Sequence, residues 1–447
     1  MKISVVGTGY VGLVGAVCLA EQGHDVVCVD IDADKVEMIN DGRSPIHEAG
    51  LDDLLKRNIG KSLTATTDLD MAVRSTELSL IAVGTPFDGE RIDLKYIREV
   101  SRQIGEVLKS KDAYHVVVVK STVVPGTTDN VVTPILEEAS EKKAGVDFGV
   151  GMNPEFLREG VAVDDFMNPD RIVLGGIDAR TQDALGRVYA AFSDTDVIKT
   201  GNSTAELIKY TANSLLATMI SFSNEVANLC TAIGGVDIVD VMQGVHSDKR
   251  LMPIDDNGKR IKPGFVSYLE SGCGFGGSCF PKDVKALISH GESLGEKMNL
   301  LNAVIEINEL QPYKVIDLLR KHFESLSGLK VSVLGLAFKP GTDDMRESPA
   351  IKIVNELIDA GSSVRAFDPV ARSEAEKLFD ADSIVYGDAI DDVIADADVL
   401  LILTRWELFN DLPDMLGALD TQPLVIDARR MLDRNATQRY DGIGYPN

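Results

Sequence analysis

Met1-Lys2-Ile3-Ser4-Val5-Val6-Gly7-Thr8-Gly9-Tyr10-Val11-Gly12 opens the chain. The apolar run at 3–6 has strand composition and breaks at Gly7, where a helical pattern starts. A second apolar run, 26–29, is closed by Asp30, 23 residues after Gly7. Strand, glycine turn, helix and an acid ending the next strand make up a dinucleotide fingerprint. Gly7, Gly9 and Gly12 let the backbone approach a pyrophosphate, with Tyr10 and Val11 inside the turn. The helix N-terminus stabilises the pyrophosphate charge, and Asp30 can accept from both ribose hydroxyls. The competing reading is a tight turn that is merely structural. Asp30 would repel a 2′-phosphate and no arginine directly follows it, so NAD is expected over NADP, with Lys35 the countervailing cation among the cofactor contacts.

Outward from this turn the texture stays βα. Residues 78–83 and 116–119 read as further buried strands, so the first segment is a parallel sheet. Near Gly201-Asn202-Ser203 a long helical pattern begins, with Ser203 and Glu206 spaced as a capping box and Leu207, Ile208, Leu215, Leu216, Met219 and Ile220 at helical intervals. After a Gly/Pro-rich loop at 255–277, Pro281 opens another helix, and 299–322 reads as one further long helix. The βα pattern then returns with strands at 329–334, 363–367, 399–403 and 424–426. The expected fold is α/β: two Rossmann-like doubly wound domains joined by a long central helical region, divided at 1–200, 201–325 and 326–447.

The 447 residues suit two or three cores at roughly 150 residues each. A net charge of −25 disfavours nucleic acid and anionic membranes as partners. No apolar run approaches the roughly 20 residues of a membrane span, and the N-terminus has no signal-peptide pattern, so a cytoplasmic location is expected. Five cysteines without a CxxC pair point to free thiols, and six scattered histidines without paired spacing point away from a metal.

The sharpest chemical signal is Gly274-Phe275-Gly276-Gly277-Ser278-Cys279-Phe280-Pro281-Lys282-Asp283. A cysteine on a flexible glycine loop, just before a proline-started helix, sits near the positive end of the helix dipole. Lys282 adds charge, so the Cys279 thiolate is favoured as a nucleophile. Cys18, Cys28 and Cys230 lie in apolar patterns and read as inert core thiols, with Cys273 undecided. Lys209 and Asn213 are four apart and share one helix face, which is either a converging pair or a solvated surface. Asn153-Pro154-Glu155-Phe156-Leu157-Arg158-Glu159 reads blandly as a capped helix start. Thr85 and Thr122 stand at the strand ends where ligands bind in such sheets, or are ordinary loop residues.

With the fingerprint, GFGGSCFPKD, NPEFLREG, KYTAN at 209–213 and GLAFKPGTDDMRES at 335–348 all in one chain, the sequence resembles the UDP-glucose/GDP-mannose dehydrogenase family essentially end to end. The resemblance implies an NAD-binding first domain, a central helical domain that forms a homodimer, and a third domain binding the nucleotide sugar. It also implies a four-electron oxidation. The C6 alcohol becomes an aldehyde, Cys279 adds to it, a thioester forms, and water releases the acid, with two NAD used per sugar. By the same resemblance Lys209 and Asn213 stabilise the oxyanion, Asp283 supports the lysine and orients water, and Glu155 is the general base. Thr122 and Glu159 touch water or nicotinamide. Lys282 and Arg346 join the cofactor contacts. Phe156, Leu157, Arg158, Tyr268, Gly274, Phe275, Gly276, Phe338, Lys339 and Arg430 join Glu155, Lys209 and Asn213 as sugar-nucleotide contacts, with Arg429 the alternative to Arg430.

UDP-glucose is the first expected substrate, from LREG at 157–160 and the cysteine loop. GDP-mannose is the rival, from KAGVDFGVG at 143–151, and UDP-N-acetylhexosamines follow. The family's Asp-x-Arg segment matches Asp248-Lys249-Arg250, whose arginine enters the partner's site in that family. An insertion around 253–263 leaves Arg260 as the other candidate for this role.

Overall fold

Runs of Val, Ile and Leu, apolar at consecutive positions, can only be satisfied by burial on both faces, and such strands pair in parallel. The computed structural model describes residues 1–446, and its chain divides into two units, Met1–Ala212 and Asn213–Asn447. The first holds β1 (Lys2–Val6), β2 (Asp25–Val29), β3 (Leu63–Thr66), β4 (Leu78–Ile81), β5 (His115–Val119), β6 (Phe148–Met152), β7 (Arg171–Gly176) and β8 (Asp196–Thr200). They form one sheet in the order β3-β2-β1-β4-β5-β6-β7-β8. All neighbours are parallel except β6 and β7. β4 and β5 are buried along their whole length, whereas β8 is an exposed edge. The helix Tyr10–Glu21 follows β1, with Gly12 to Ala20 buried against the sheet.

The expected strands at 3–6, 26–29, 78–83 and 116–119 are all present, the third ending early at Ile81. β3, β6, β7 and β8 lie beyond those expectations. β6 has the sequence Phe-Gly-Val-Gly-Met, and its glycines are steric necessities: a methyl on Gly149 would lie 2.6 Å from Thr181 Oγ1, and one on Gly151 2.8 Å from the Gly175 carbonyl.

The helix Asn202–Ile233 runs across the division between the units. Its start departs from the expected capping box. The Ser203 hydroxyl donates to Asp129 at 3.0 Å, and the Glu206 carboxylate accepts from Gly126 and Thr128 instead of its own helix end. The second unit continues with helices Ile238–His246, Phe280–Ser293, Asn299–Leu310 and Tyr313–His322. The single helix expected over 299–322 is therefore two, because Pro312 has no N–H to donate and stands at the break. The segment after Met252, where an insertion was expected, folds back on itself, with Ile254 bridged antiparallel to Arg260 and a turn at Gly258 (φ +79°).

The second sheet comprises β9 (Lys330–Leu334), β10 (Ser363–Phe367), β11 (Ile384–Tyr386), β12 (Val399–Ile402), β13 (Leu424–Asp427) and β14 (Tyr440–Gly442). Its order, β11-β10-β9-β12-β13-β14, is wholly parallel. That order repeats the first six strands of the other sheet, so the chain is an α/β protein with two Rossmann-like doubly wound sheets. Among the described residues no helix is long and apolar enough to cross a membrane.

Candidate active site

In the first unit the glycine turn leaves β1 at the point where strand order reverses. Gly7 has φ +99°, and a methyl there would lie 2.7 Å from the Ala82 carbonyl. A methyl on Gly12 would lie 1.9 Å from the Gly7 carbonyl, whereas Gly9 faces open space. The turn is thus tight on its protein side and free on its outer side, the form a pyrophosphate cradle requires. Asp30 Oδ2 accepts from Thr8 N at 2.8 Å and Thr8 Oγ1 at 2.6 Å, and Oδ1 accepts from Asp32 N at 3.1 Å. Burial pushes the Asp30 carboxyl up, but these bonds and the nearby Lys35 outweigh it and hold it below the usual carboxylate range. An ionised acceptor at this strand end fits an adenosine ribose, so the turn and Asp30 suit NAD. Val11 is half-buried in the first helical turn. The Tyr10 hydroxyl donates to Glu48, which also accepts from Gly160 N and Ala162 N, each at 2.7 Å. Glu48 thereby ties the fingerprint helix to the loop that carries Glu155, a link with no recognisable sequence signal.

Glu155 is buried at the end of β6, and its Oε1 lies 2.9 Å from Lys209 Nζ, itself buried on the Asn202–Ile233 helix. Its other oxygen accepts from Leu157 N at 2.6 Å. Burial is the largest influence on this carboxyl and pushes it up. The charge and hydrogen bond of Lys209, the Leu157 N–H and the charge of Lys120 together prevail and hold it below its ordinary value. Phe156 roofs this pair, with Lys209 Nζ 5.6 Å and the Arg171 guanidinium 3.8 Å from its ring centroid. Arg158 is exposed and paired with Asp165 at 2.6 Å, and Glu159 is half-buried. At the ends of β4 and β5, the Thr85 hydroxyl donates to the Thr122 carbonyl at 2.8 Å.

In the second unit the cysteine loop is not flexible. Residues 271–277 are buried, so their peptide groups need protein partners. Asn224 Oδ1 accepts from Gly272 N at 2.8 Å and Gln311 donates to the Gly272 carbonyl at 2.8 Å. Asn308 clamps Phe275 from both sides, accepting from its N–H at 2.7 Å and donating to its carbonyl at 3.0 Å. Gly277 N donates to the Arg346 carbonyl at 2.8 Å. Methyls on Gly276 and Gly277 would lie 2.3 Å from the Glu347 carbonyl and 2.7 Å from the Phe338 ring, so only glycine permits this approach. Asn308 and Gln311 were overlooked in the sequence; two amides three apart in an apolar helical pattern were the available signal.

Cys279 ends this loop as the N-cap of helix Phe280–Ser293, half-exposed, while the other four thiols are buried. Burial pushes the Cys18 and Cys28 thiols up to about 12, which leaves them inert. Asp283, buried in the first turn of that helix, accepts from Asn213 Nδ2 at 2.7 Å and pairs with Lys282 at 2.7 Å. Lys282 therefore directs its charge to Asp283. The Tyr268 and Phe275 rings flank Phe280, with centroids 6.2 and 6.0 Å away.

The remaining candidates divide. Phe338 packs on Gly277, with Lys339 Nζ 5.6 Å from its ring centroid, and Arg346 is exposed and paired with Asp344 at 2.8 Å. Of the two adjacent arginines, Arg429 reaches the cysteine loop, donating to the Gly274 carbonyl at 3.1 Å. Arg430 Nη2 donates to both carboxylate oxygens of Asp237, at 2.9 Å each. Arg250 is exposed and ion-paired with Asp248, whereas Arg260 donates to the backbone carbonyls of Ser247 and Met252 at 2.6 and 3.1 Å. At the end of β10, Asp368 occupies the position that Asp30 holds after β2. Its carboxylate accepts from the N–H groups of Leu336, Ala337, Val370 and Ala371 and from the Trp406 indole. Among the described residues no three His, Cys, Asp or Glu side chains are grouped to hold a metal ion.

Three family models of UDP-glucose/GDP-mannose dehydrogenases match in succession: the NAD binding domain over residues 1–193, the central domain over 203–310 and the UDP binding domain over 332–434. The chain is 44% identical to UDP-glucose 6-dehydrogenase AglM of Haloferax volcanii, over 99% of this chain and all of that protein. It is 42% identical to GDP-mannose 6-dehydrogenase of Pseudomonas aeruginosa, again over 99% of this chain and all of the relative. The solved structure of a UDP-glucose dehydrogenase from Pyrobaculum islandicum superposes with a TM-score of 0.89 at 38% identity, covering 99% of this chain and 97% of that one. The chain belongs to the UDP-glucose/GDP-mannose dehydrogenase family, NAD-dependent enzymes that oxidise nucleotide sugars at C6.

Proposed function

We propose that the chain oxidises UDP-glucose to UDP-glucuronate through a thioester on Cys279, supplying an acidic sugar for polysaccharide synthesis in the cytoplasm. The observation that carries this reading is the placement of Cys279. It is a half-exposed thiol at a helix N-terminus, on a loop clamped by the side-chain amides of Asn224, Asn308 and Gln311, and Asp283 in the helix that it caps is bonded to Asn213. NAD held by the glycine turn and Asp30 would supply the hydride acceptor for each oxidation, two molecules per sugar. Glu155, kept ionised by Lys209, takes the proton of the C6 hydroxyl. Cys279 Sγ adds to the aldehyde carbon to give a thiohemiacetal. Lys209 and Asn213 offer N–H groups to the developing oxyanion. After the second oxidation, water oriented by Asp283 cleaves the thioester and releases the thiol and the carboxylate.

UDP-glucose is preferred over GDP-mannose because the Haloferax relative and the Pyrobaculum structure both carry the former activity in their names. The chain acts as a homodimer: Leu215, Phe222, Leu229 and Ile233 line the central helix at intervals of seven, seven and four residues, each at least half exposed in the single chain. Arg250 is the arginine that enters the partner's site, since its side chain projects into solvent while Arg260 is held by the carbonyls of Ser247 and Met252. The divisions at 1–200, 201–325 and 326–447 correspond to cofactor binding, dimerisation and sugar-nucleotide binding. The test is NADH formation with UDP-glucose, GDP-mannose, UDP-N-acetylglucosamine and UDP-N-acetylmannosamine, counting NADH per sugar. Two NADH per UDP-glucose is the expected result. One NADH per sugar overturns the thioester, and turnover of GDP-mannose alone overturns the substrate.

A further inference from the structure

Glu206 has no place in the reaction above, yet it is fully buried and surrounded by donors. Its Oε2 accepts from Gly126 N at 2.6 Å; its Oε1 accepts from Thr128 N at 2.8 Å and Thr128 Oγ1 at 2.6 Å. Three donors converge on two oxygens, an arrangement that an amide, with a single acceptor oxygen, cannot reproduce. Beside it Asp129 accepts from Asn202 Nδ2 at 2.7 Å and from the Ser203 hydroxyl at 3.0 Å. The first turns of the central helix therefore grip the turn at 126–129 through two carboxylates. That turn is itself unusual, for Gly126 has φ +88° and the backbone over Thr128–Val132 is π-helical, a form that recurs at functional sites.

The gripped turn lies four residues beyond Thr122. The carbonyl of Thr122 is fixed by the Thr85 hydroxyl, Ser121 is anchored to the Val83 carbonyl at 2.7 Å, and Val123 is fully buried. The segment from 121 to 128 is thus held at its near end by the strand ends and at its far end by Glu206, three residues before Lys209 on the same helix.

We infer that Glu206 is a positioning residue for the oxidation: it fixes the 121–128 segment to the helix that carries Lys209, and so holds Thr122 in register with the Glu155–Lys209 pair. This rests on the proposed oxidation and on the contact with water or nicotinamide that the family resemblance implies for Thr122. The alternative is that Glu206 merely stabilises the fold, and the two differ in what a near-isosteric change does. Glu206→Gln keeps volume and one acceptor but turns an NH2 toward a backbone N–H. It lowers kcat about tenfold, as expected of a small displacement near the reacting atoms, and leaves the KM for the sugar nucleotide within about twofold and Tm within about 3 °C. Thr128→Val removes a single donor and produces a smaller fall of the same kind.

The decisive measurements are a double-mutant cycle with Thr122→Ala and hydrogen exchange over 121–132, using UDP-glucose, or GDP-mannose should that be the sugar the wild type oxidises. In the Thr122→Ala background, Glu206→Gln costs less than about twofold more, because both changes act through one residue. Exchange over 121–132 accelerates while the rest of the first unit keeps its protection. Multiplicative losses, or unchanged exchange in Glu206→Gln, overturn the inference alone. An undiminished kcat in Thr122→Ala overturns the role of Thr122 and this inference with it. If no sugar is oxidised, the proposed activity fails, while unchanged exchange still suffices to overturn the clasp.

Discussion

Lys209 Nζ and Glu155 Oε1 are 2.9 Å apart with both side chains buried, so each charge depends on the other. Because the folded-state pKa of Glu155 is lowered, its stabilising contribution is present above the ordinary carboxylate range and is lost as pH falls through the folded value. Lys209→Met removes the main opposing influence and leaves burial dominant, so the pKa of Glu155 rises. The variant should lose about 3–5 kcal/mol at pH 8 and recover part of it at pH 6, where the carboxyl can take up a proton. Urea unfolding at the two pH values checks this; an equal deficit at both would show that Glu155 is not the group left uncompensated.

Asn213 and Asp283 form the corresponding pair beside the thiol, 2.7 Å apart. Asp283→Asn keeps an acceptor for Asn213 but removes the counter-charge of Lys282 and the carboxylate assigned to water. The expected outcome is a Tm within about 3 °C of wild type with acid formation slowed about 10²-fold. Rapid-quench detection of a covalent sugar adduct on Cys279 separates the steps, since slowed hydrolysis makes it accumulate.

Gly277 tests how closely the cysteine loop must lie on Phe338. Alanine there combines φ +80° with a methyl 2.7 Å from the ring. Gly277→Ala should cost about 2–4 kcal/mol from backbone strain and overpacking, while Gly264→Ala, with open space around it, should shift stability by less than about 0.5 kcal/mol. The double variant Gly277→Ala with Phe338→Leu, measured by denaturant midpoint, should recover part of the loss if the ring is the obstacle.

Seventy acids against 45 bases leave a net charge of −25, so the folded chain repels itself. Raising the ionic strength from about 0.1 to 1 M shortens the screening length from roughly 10 to 3 Å, and Tm in KCl should rise by about 3–6 °C. A flat or falling Tm would mean that the exposed ion pairs outweigh the repulsion.

The elements that were legible in the sequence are those whose side chains have one dominant environment. Val116 to Val119 and Val399 to Ile402 are buried on both faces and therefore uniformly apolar. β6 and β8 escaped because one carries glycines forced by Thr181 and Gly175, and the other is an exposed edge whose Val197 and Ile198 sit between polar residues. Cys279 stood out through the glycine motif, whereas helix spacing left Lys209 and Asn213 open between a converging pair and a solvated surface, and the roles expected of them and of Asp283 came from the family resemblance. Glu48 and Asn224 did not, since each bonds backbone groups distant in sequence, which leave no pattern in side-chain identity, and Asn308 and Gln311 offered only the spacing of two amides on one helix. Ser203 and Glu206 matched a familiar local spacing, yet both serve a turn more than 70 residues earlier.

The carboxylate of Asp368 has a further consequence. A carboxylate offers about four lone-pair positions, and five donors already surround this one, whereas Asp30 keeps one oxygen with a single partner. Two sheets that share the order of six strands thus differ in their capacity for a ribose. Calorimetric titration with NAD should therefore saturate at a stoichiometry of one per polypeptide, with the second sheet, in the part of the chain that matches a UDP binding domain, taking up none.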